Sequence, residues 1–284
     1  TDLDFLTRWL EFEGAFYYFI QGDAQGQESI VFIDDISALP PNTLDLKYRP
    51  GGGISIDQYA SALTKFGEAR KAVTQTVALL NYDYRHAQDL VEITSDVQSP
   101  SWGQVFNYGD DLRNNDQANS YAGLRAQALD AQAQVFRGET FASGLTVGAT
   151  ISVTGHPRHA FNSNFMITQV RHRGTQAGFG VSVPDAVGRP SDQNYYFAEF
   201  EAIVAQTPFR LQLQTLRPRV SGYLPAQVDS DDGQTAALDQ YGRYKVQLLY
   251  DAAAHDTMKG SAWVRLAAPY QGPGQTGDTG IHFP

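Results

Sequence analysis

The residues best placed for chemistry are two glutamates in the run FAEFEAIV, Glu199 and Glu201. Two positions apart on a strand, they share one face at a separation of roughly 7 Å. Glycosidases divide acid and base work between carboxylates at about such distances. Phe200, Ala202 and Val204 take the alternate positions and claim the inner face, so both glutamates fall on the outer one. An exposed pair has no burial to separate its pKa values and cannot divide the two roles. The pattern predicts solvated carboxylates, and no catalytic residue is assigned.

His156, His159 and His172 invite a metal reading. His156 and His159 flank Pro157-Arg158 in a loop, and His172 ends a strand. A three-histidine zinc site needs convergent geometry that this spacing does not supply, so hydrogen-bonding roles are expected. The run DSDDGQ, 229–234, offers oxygen ligands and a glycine. A calcium loop needs an oxygen ligand at its fifth position and Glu at its twelfth, where this chain has Gly233 and Gln240. A solvated loop is expected there. Cysteine is absent, which excludes disulfides and thiolate chemistry. There is no G-x-S-x-G elbow, phosphate-binding loop or H-E-x-x-H helix. Metal and cofactor sites are therefore both expected to be none.

One strand carries an unusual cationic row. In LDQYGRYKVQLLYD, 238–251, Tyr241-Gly242 reads as a tight turn, with Gly242 free to adopt positive φ. Beyond it Tyr244, Val246 and Leu248 alternate with Arg243, Lys245 and Gln247. Tyr244 and Trp263 are the aromatics that a sugar- or oligonucleotide-binding barrel would display, but both read better as packed or interface residues.

The elements around these residues are mostly strands. A helix is predicted over 1–13, capped by Thr1 or Asp2 and stopped at Gly14. Leu3, Leu6 and Leu10 beside Phe5, Trp9 and Phe12 give it a wide apolar face that must be covered. Strands at 15–20 and 28–33 form a hairpin. Strand patterns follow over 72–97. One long helix is predicted over 117–136, with Tyr121, Leu124, Ala128, Ala131 and Val135 at helical spacing and Gly138 beyond. Further strands are expected at 150–155, 164–172, 178–183 and 195–204. Pro208 and Pro218 bracket a short basic hinge, and the last strands are expected at 220–224, 243–250 and 262–268. The fold class is mainly β with two helices, in consecutive small barrels or sheets. The division is an α+β segment 1–71, a barrel with its long helix 72–215, and a small barrel 219–284.

At 284 residues the chain is long enough for two or three domains. A net charge of −10 without a dense basic run argues against nucleic acid. No apolar stretch approaches the roughly 20 residues of a membrane span. Both ends look cut, so a fragment of a longer protein is expected.

With the elements placed, the chain resembles the VgrG spike proteins of type VI secretion systems, relatives of phage tail hub and needle proteins. DLDFLTRWLEFEGAFYYF resembles that family's opening helix and tyrosine-rich strand. NYDYRHAQDL and YGDDLRNNDQANSYAGLRAQALDAQAQVFRG resemble its central strand and long helix. LTVGATISVTGHPR and FMITQVRH are similar to its second-barrel strands, and YYFAEFEAIVAQTPFR with RPRVSGYLPAQV to the passage into the needle. DQYGRYKVQLLYD, SAWVRLAAPYQG and GIHFP resemble its small five-stranded barrel of the oligonucleotide/oligosaccharide-binding type.

The resemblance implies a structural, non-enzymatic spike that punctures membranes and delivers effectors. It implies a homotrimer in the full-length form, with a ring-shaped tube protein at the hub and a small capping protein at the needle tip. It implies assembly in the bacterial cytoplasm followed by secretion or injection, without stable membrane insertion. The first hub barrel would precede Thr1 and the triple-stranded β-helix would follow Pro284. A contractile phage tail or tailocin hub is the alternative within this class, and a peptidoglycan hydrolase the alternative outside it. The Arg243/Lys245 row would either pair across subunits or be wet, and the sequence leaves both open.

Overall fold

The computed structural model describes residues 1–22, 26–39, 43–50, 61–83, 88, 90–99, 102–110, 112, 114–175, 183–184, 190–191, 195–231, 233, 235–251, 256–265 and 267. The chain divides into two compact units, Thr1–Leu216 and Arg217–Pro284.

The first unit opens with helix α1, Asp2–Glu13. Thr1 caps it: its Oγ1 accepts from the Asp4 amide at 3.2 Å, while the Asp4 carboxylate accepts from Thr1. Gly14 stops it in the left-handed conformation, φ 70°. The expected apolar face is covered only at its end. Phe12 packs on Tyr121, 4.6 Å between ring centroids, whereas Leu3, Phe5, Leu6 and Trp9 remain about half exposed. The buried residue of this helix is Glu11.

Strands β1 (Phe16–Ile20) and β2 (Ser29–Ile33) form the expected antiparallel hairpin, Phe16 opposite Ile33. Strands β3 (Thr43–Tyr48) and β4 (Ala62–Arg70) follow, then β5 (Thr76–Tyr82), β6 (Leu90–Asp96) and β7 (Gln104–Tyr108). The second helix, α2, spans Asn115–Ala133 and leads directly into β8 (Gln134–Thr140). Then come β9 (Thr150–Thr154), β10 (Asn164–Thr175), the two-residue strands β11 (Val183–Pro184) and β12 (Pro190–Ser191), which pair with each other, and β13 (Tyr195–Val204). Most of the strand expected at 178–183 lies outside the described residues, as do 40–42, 51–53 and 280–284.

Six strands close a barrel in the order β10-β13-β8-β4-β3-β9. Strands β3 and β4 precede residue 72, so the barrel closes across the boundary drawn there from the sequence. The reason is long-range pairing: β3 runs parallel to both β4 and β9, which no local pattern reveals. The interior is aromatic. Phe66, Phe136, Phe161, Phe165 and Phe200 are buried with Leu46, Leu63, Ile151 and Ile167. Phe136 lies 4.5 Å from Phe165 and 5.5 Å from Phe66, centroid to centroid. Truncating such a ring costs about 3–5 kcal/mol.

A three-stranded sheet, β6-β5-β7, packs against α2. Ala118, Ala122 and Ala126 recur every four residues on the buried face beside Val77, Leu79 and Val91. Side chains this small let helix and sheet approach closely. Ala131, on another face, joins Met166 and Ile203 from the outside of the barrel. The helix thus bridges two cores. It ends earlier than its apolar spacing predicts: Val135 and Phe136 belong to β8, and Gly138 is a strand residue rather than a stop. Residues 134–140 pair with β4, and 136–140 also with β13. Two ladders outweigh the few hydrogen bonds of an extra helical turn.

In the second unit β14 (Ala226–Val228) pairs with β15 (Val246–Leu248), and Tyr244 bridges both Leu238 and Val264. The strand expected at 220–224 is irregular, with Val220 and Tyr223 exposed, because pairing begins only at Ala226. Of the strand expected at 243–250, three residues form a ladder, and within 262–268 the described pairing is the bridge at Val264. The Asp239–Arg243 turn is as expected: Gly242 has φ 66° and its amide donates to the Asp239 carbonyl at 3.0 Å.

Candidate functional site

The outer face of the barrel carries Glu199 and Glu201. Strand alternation sends Phe200 and Ala202 into the core and leaves both glutamates in a groove of about 580 Å³, with Lys65, Arg137, Glu139 and Arg171. Register sets two charge rows. Lys65 stands opposite Glu139, Glu139 opposite Glu199, and Glu199 opposite Arg171. In the next row Arg137 stands opposite Glu201. Lys65 Nζ donates to Glu139 Oε1 at 3.0 Å, Arg137 Nε to Glu201 Oε1 at 2.8 Å, and Arg173 Nη2 to Glu199 Oε2 at 3.4 Å. Glu199 and Glu201 thus each have an arginine as ion-pair partner at the solvent boundary. The one like-charge pairing, Glu139 opposite Glu199, is flanked by Lys65 and Arg171 on the neighbouring strands, and opposite charges facing across strands favour this register on a wet face.

The histidines do not converge. His156 Nδ1 accepts from the Arg158 amide at 3.0 Å, and its backbone is tied both ways to the Asn162 side chain. Its ring closes one end of the barrel beside Tyr48 and Phe161. His159 lies in the short 3-10 helix His159–Phe161. His172 Nδ1 meets Tyr196 Oη at 2.7 Å; burial raises the Tyr196 phenol above its ordinary range. Among the described residues no three His, Asp or Glu side chains are grouped to hold a metal ion.

At the same end of the barrel Glu68 gathers partners that sequence spacing does not announce. Its Oε1 accepts from Arg70 Nε at 2.5 Å and Gln134 Nε2 at 2.7 Å, and its Oε2 from Arg158 at 3.4 Å. The hydrogen bond from Arg70 leads in holding its carboxyl below the usual range.

In the second unit the cationic row is paired within the chain. Asp239 Oδ2 accepts from Arg243 Nε, and its Oδ1 from the amides of Tyr241 and Arg243, both at 2.9 Å. Lys245 Nζ donates to the Ser261 carbonyl and lies 5.3 Å from the centre of the half-buried Trp263 ring. Asp229, in the rejected calcium loop, accepts from the Met258 amide at 2.7 Å through Oδ2 and steadies that residue's positive φ of 66°. Asp232 and Gln234 of that loop lie outside the described residues.

A six-stranded barrel with an attached helix-backed sheet, followed by a β-rich second unit, is the architecture of a tail-hub protein. The solved structure of the E. coli c3393 protein, described as a type VI secretion component structurally similar to the T4 bacteriophage tail proteins gp27 and gp5, shares this fold. The TM-score is 0.52 at 22% identity, over 88% of this chain and 50% of that one. The model of the phage tail baseplate hub (GPD) family matches residues 1–178, and the chain belongs to that family. Among curated relatives, the Pseudomonas aeruginosa type VI secretion system spike protein VgrG5 is 27% identical over 279 residues, covering 96% of this chain and 35% of its own length. VgrG1a of the same organism is 25% identical over 283 residues, 96% of this chain and 42% of the relative. Vibrio cholerae VgrG3 is 23% identical over 296 residues, 96% of this chain and 26% of the relative. The chain thus spans between a quarter and about two-fifths of the length of these relatives.

Proposed function

We propose that this chain is the hub and needle-base portion of a type VI secretion spike. The observation that carries the reading is the match to spike proteins along 96% of the chain, through both units. Three copies associate, and a contracting sheath drives the spike through a target envelope, delivering effectors. The work is mechanical and needs stiffness, not turnover, and the chain is read as a non-enzyme. Exposed Phe5 and Trp9 on α1, Phe19 and Phe32 on the hairpin, and Phe106 and Tyr108 on β7 supply apolar surface for self-association, which in obligate assemblies buries about 2,000 Å² or more. The second unit is read as a barrel of the oligonucleotide/oligosaccharide-binding type. A ring-forming tube protein at the hub and a tip-capping protein are the partners, with assembly in the cytoplasm followed by secretion or injection. Among the described residues no helix is long and apolar enough to cross a membrane. The family match equally supports a hub in a contractile phage tail, and genomic neighbours distinguish the two.

Light scattering on the full-length protein tests the assembly. A mass three times that of the chain is expected, and a monomer at micromolar concentration sinks the reading.

A further inference from the structure

After β13 the chain crosses back over the first unit as an irregular strap, residues 205–216. Its near half is fixed by side chains. The Phe209 ring packs edge-on to Phe16, 5.2 Å between centroids. Arg210 donates to Gln127 Oε1 at 3.0 Å and to the Gly14 carbonyl at 3.2 Å. The far half is held differently. The amides of Gln214 and Thr215 both donate to Glu11 Oε2, at 3.0 and 2.8 Å, and Thr215 Oγ1 donates to Glu11 Oε1 at 2.9 Å. Between these anchors Leu211 and Leu213 roof a cavity of about 210 Å³ walled by Phe12, Val77, Leu124 and Leu129.

Glu11 is 8% exposed. A carboxylate so enclosed is tolerated only when its lone pairs are met, and here the strap meets them. The dependence is mutual: in an irregular segment, these two amides have no ladder to satisfy them. Leu216, one residue further, is almost wholly exposed, and the first unit ends there.

We propose that Glu11 is the latch of this strap: its carboxylate holds residues 211–215 closed over the cavity and fixes the point at which the chain leaves the first unit. Opening is local, because Phe209 and Arg210 keep the near half in place and the barrel core lies elsewhere.

Hydrogen exchange on the whole chain tests the latch, comparing wild type with Thr215→Val, Glu11→Gln and Glu11→Ala. The Gln214 and Thr215 amides are expected to be protected in wild type. Protection should fall stepwise across the three variants, at least tenfold in Glu11→Ala, while β4, β8 and β13 amides stay unchanged. Thr215→Val removes one hydrogen bond and no buried charge, so it reads the latch even if Glu11→Ala fails to fold. Unprotected Gln214 and Thr215 amides in wild type overturn the proposal. So does protection that survives every variant that folds, or loss that spreads evenly through the unit in Thr215→Val.

Discussion

Phe200 fills the space that a side chain at Gly138 would take. The two residues are register partners on β13 and β8, and a Cβ built on Gly138 would lie 2.6 Å from Phe200 Cε1. Phe66 stands opposite Gly138 on the other neighbouring strand. The missing side chain thus admits the Phe200 ring.

Gly138→Ala is therefore expected to overpack the core and cost about 1–3 kcal/mol, read as a lowered midpoint in denaturant unfolding. Adding Phe200→Leu should recover part of the loss. An alanine variant as stable as wild type would show that the ring moves freely.

Glu199→Gln and Glu201→Gln, singly and together, should leave peptidoglycan turnover at the background of the unmodified chain. Each removes one exposed ion pair, worth about 0.2–1 kcal/mol. Lytic activity in the wild type that disappears in either variant would restore the hydrolase reading.

Asp239 sets a pH dependence in the second unit. Burial by itself would raise its carboxyl, but the hydrogen bonds from the Arg243 side chain and from the Arg243 and Tyr241 amides together outweigh it and lower the pKa. A depressed folded value means that stability is fully present above the unfolded pKa, about 3.9, and is lost as pH falls through the folded one. The Tyr241 and Arg243 amide resonances should therefore shift only below about pH 4, and Asp239→Asn should abolish the transition. A midpoint above that range, or one unchanged in the variant, contradicts the assignment.

What the sequence made legible was whatever neighbours decide. Gly14 and Gly242 take the left-handed conformations that their places after a helix and within a turn require, and alternation put Glu199 and Glu201 outside and Phe200 inside. Misreadings came where distant partners decide. Val135 fits a helical stripe, but its segment is claimed by β4, about 65 residues earlier in the chain. Residues 220–224 have a strand's composition but no strand partner among the described residues. Glu11 stands among apolar residues on α1, and nothing nearby shows that amides some 200 positions later will need its oxygens.

The order of strands in the barrel also bears on biosynthesis. Strand β3 emerges early, yet one of its neighbours is β9, and the ring closes only when β13 joins β8 to β10. At the usual pace of a ribosome, the interval between residues 43 and 204 is on the order of ten seconds. Throughout it, Leu46, Leu63 and Phe66 have no finished interior to enter. Nascent chains of this protein should depend on chaperones that shield apolar segments during translation.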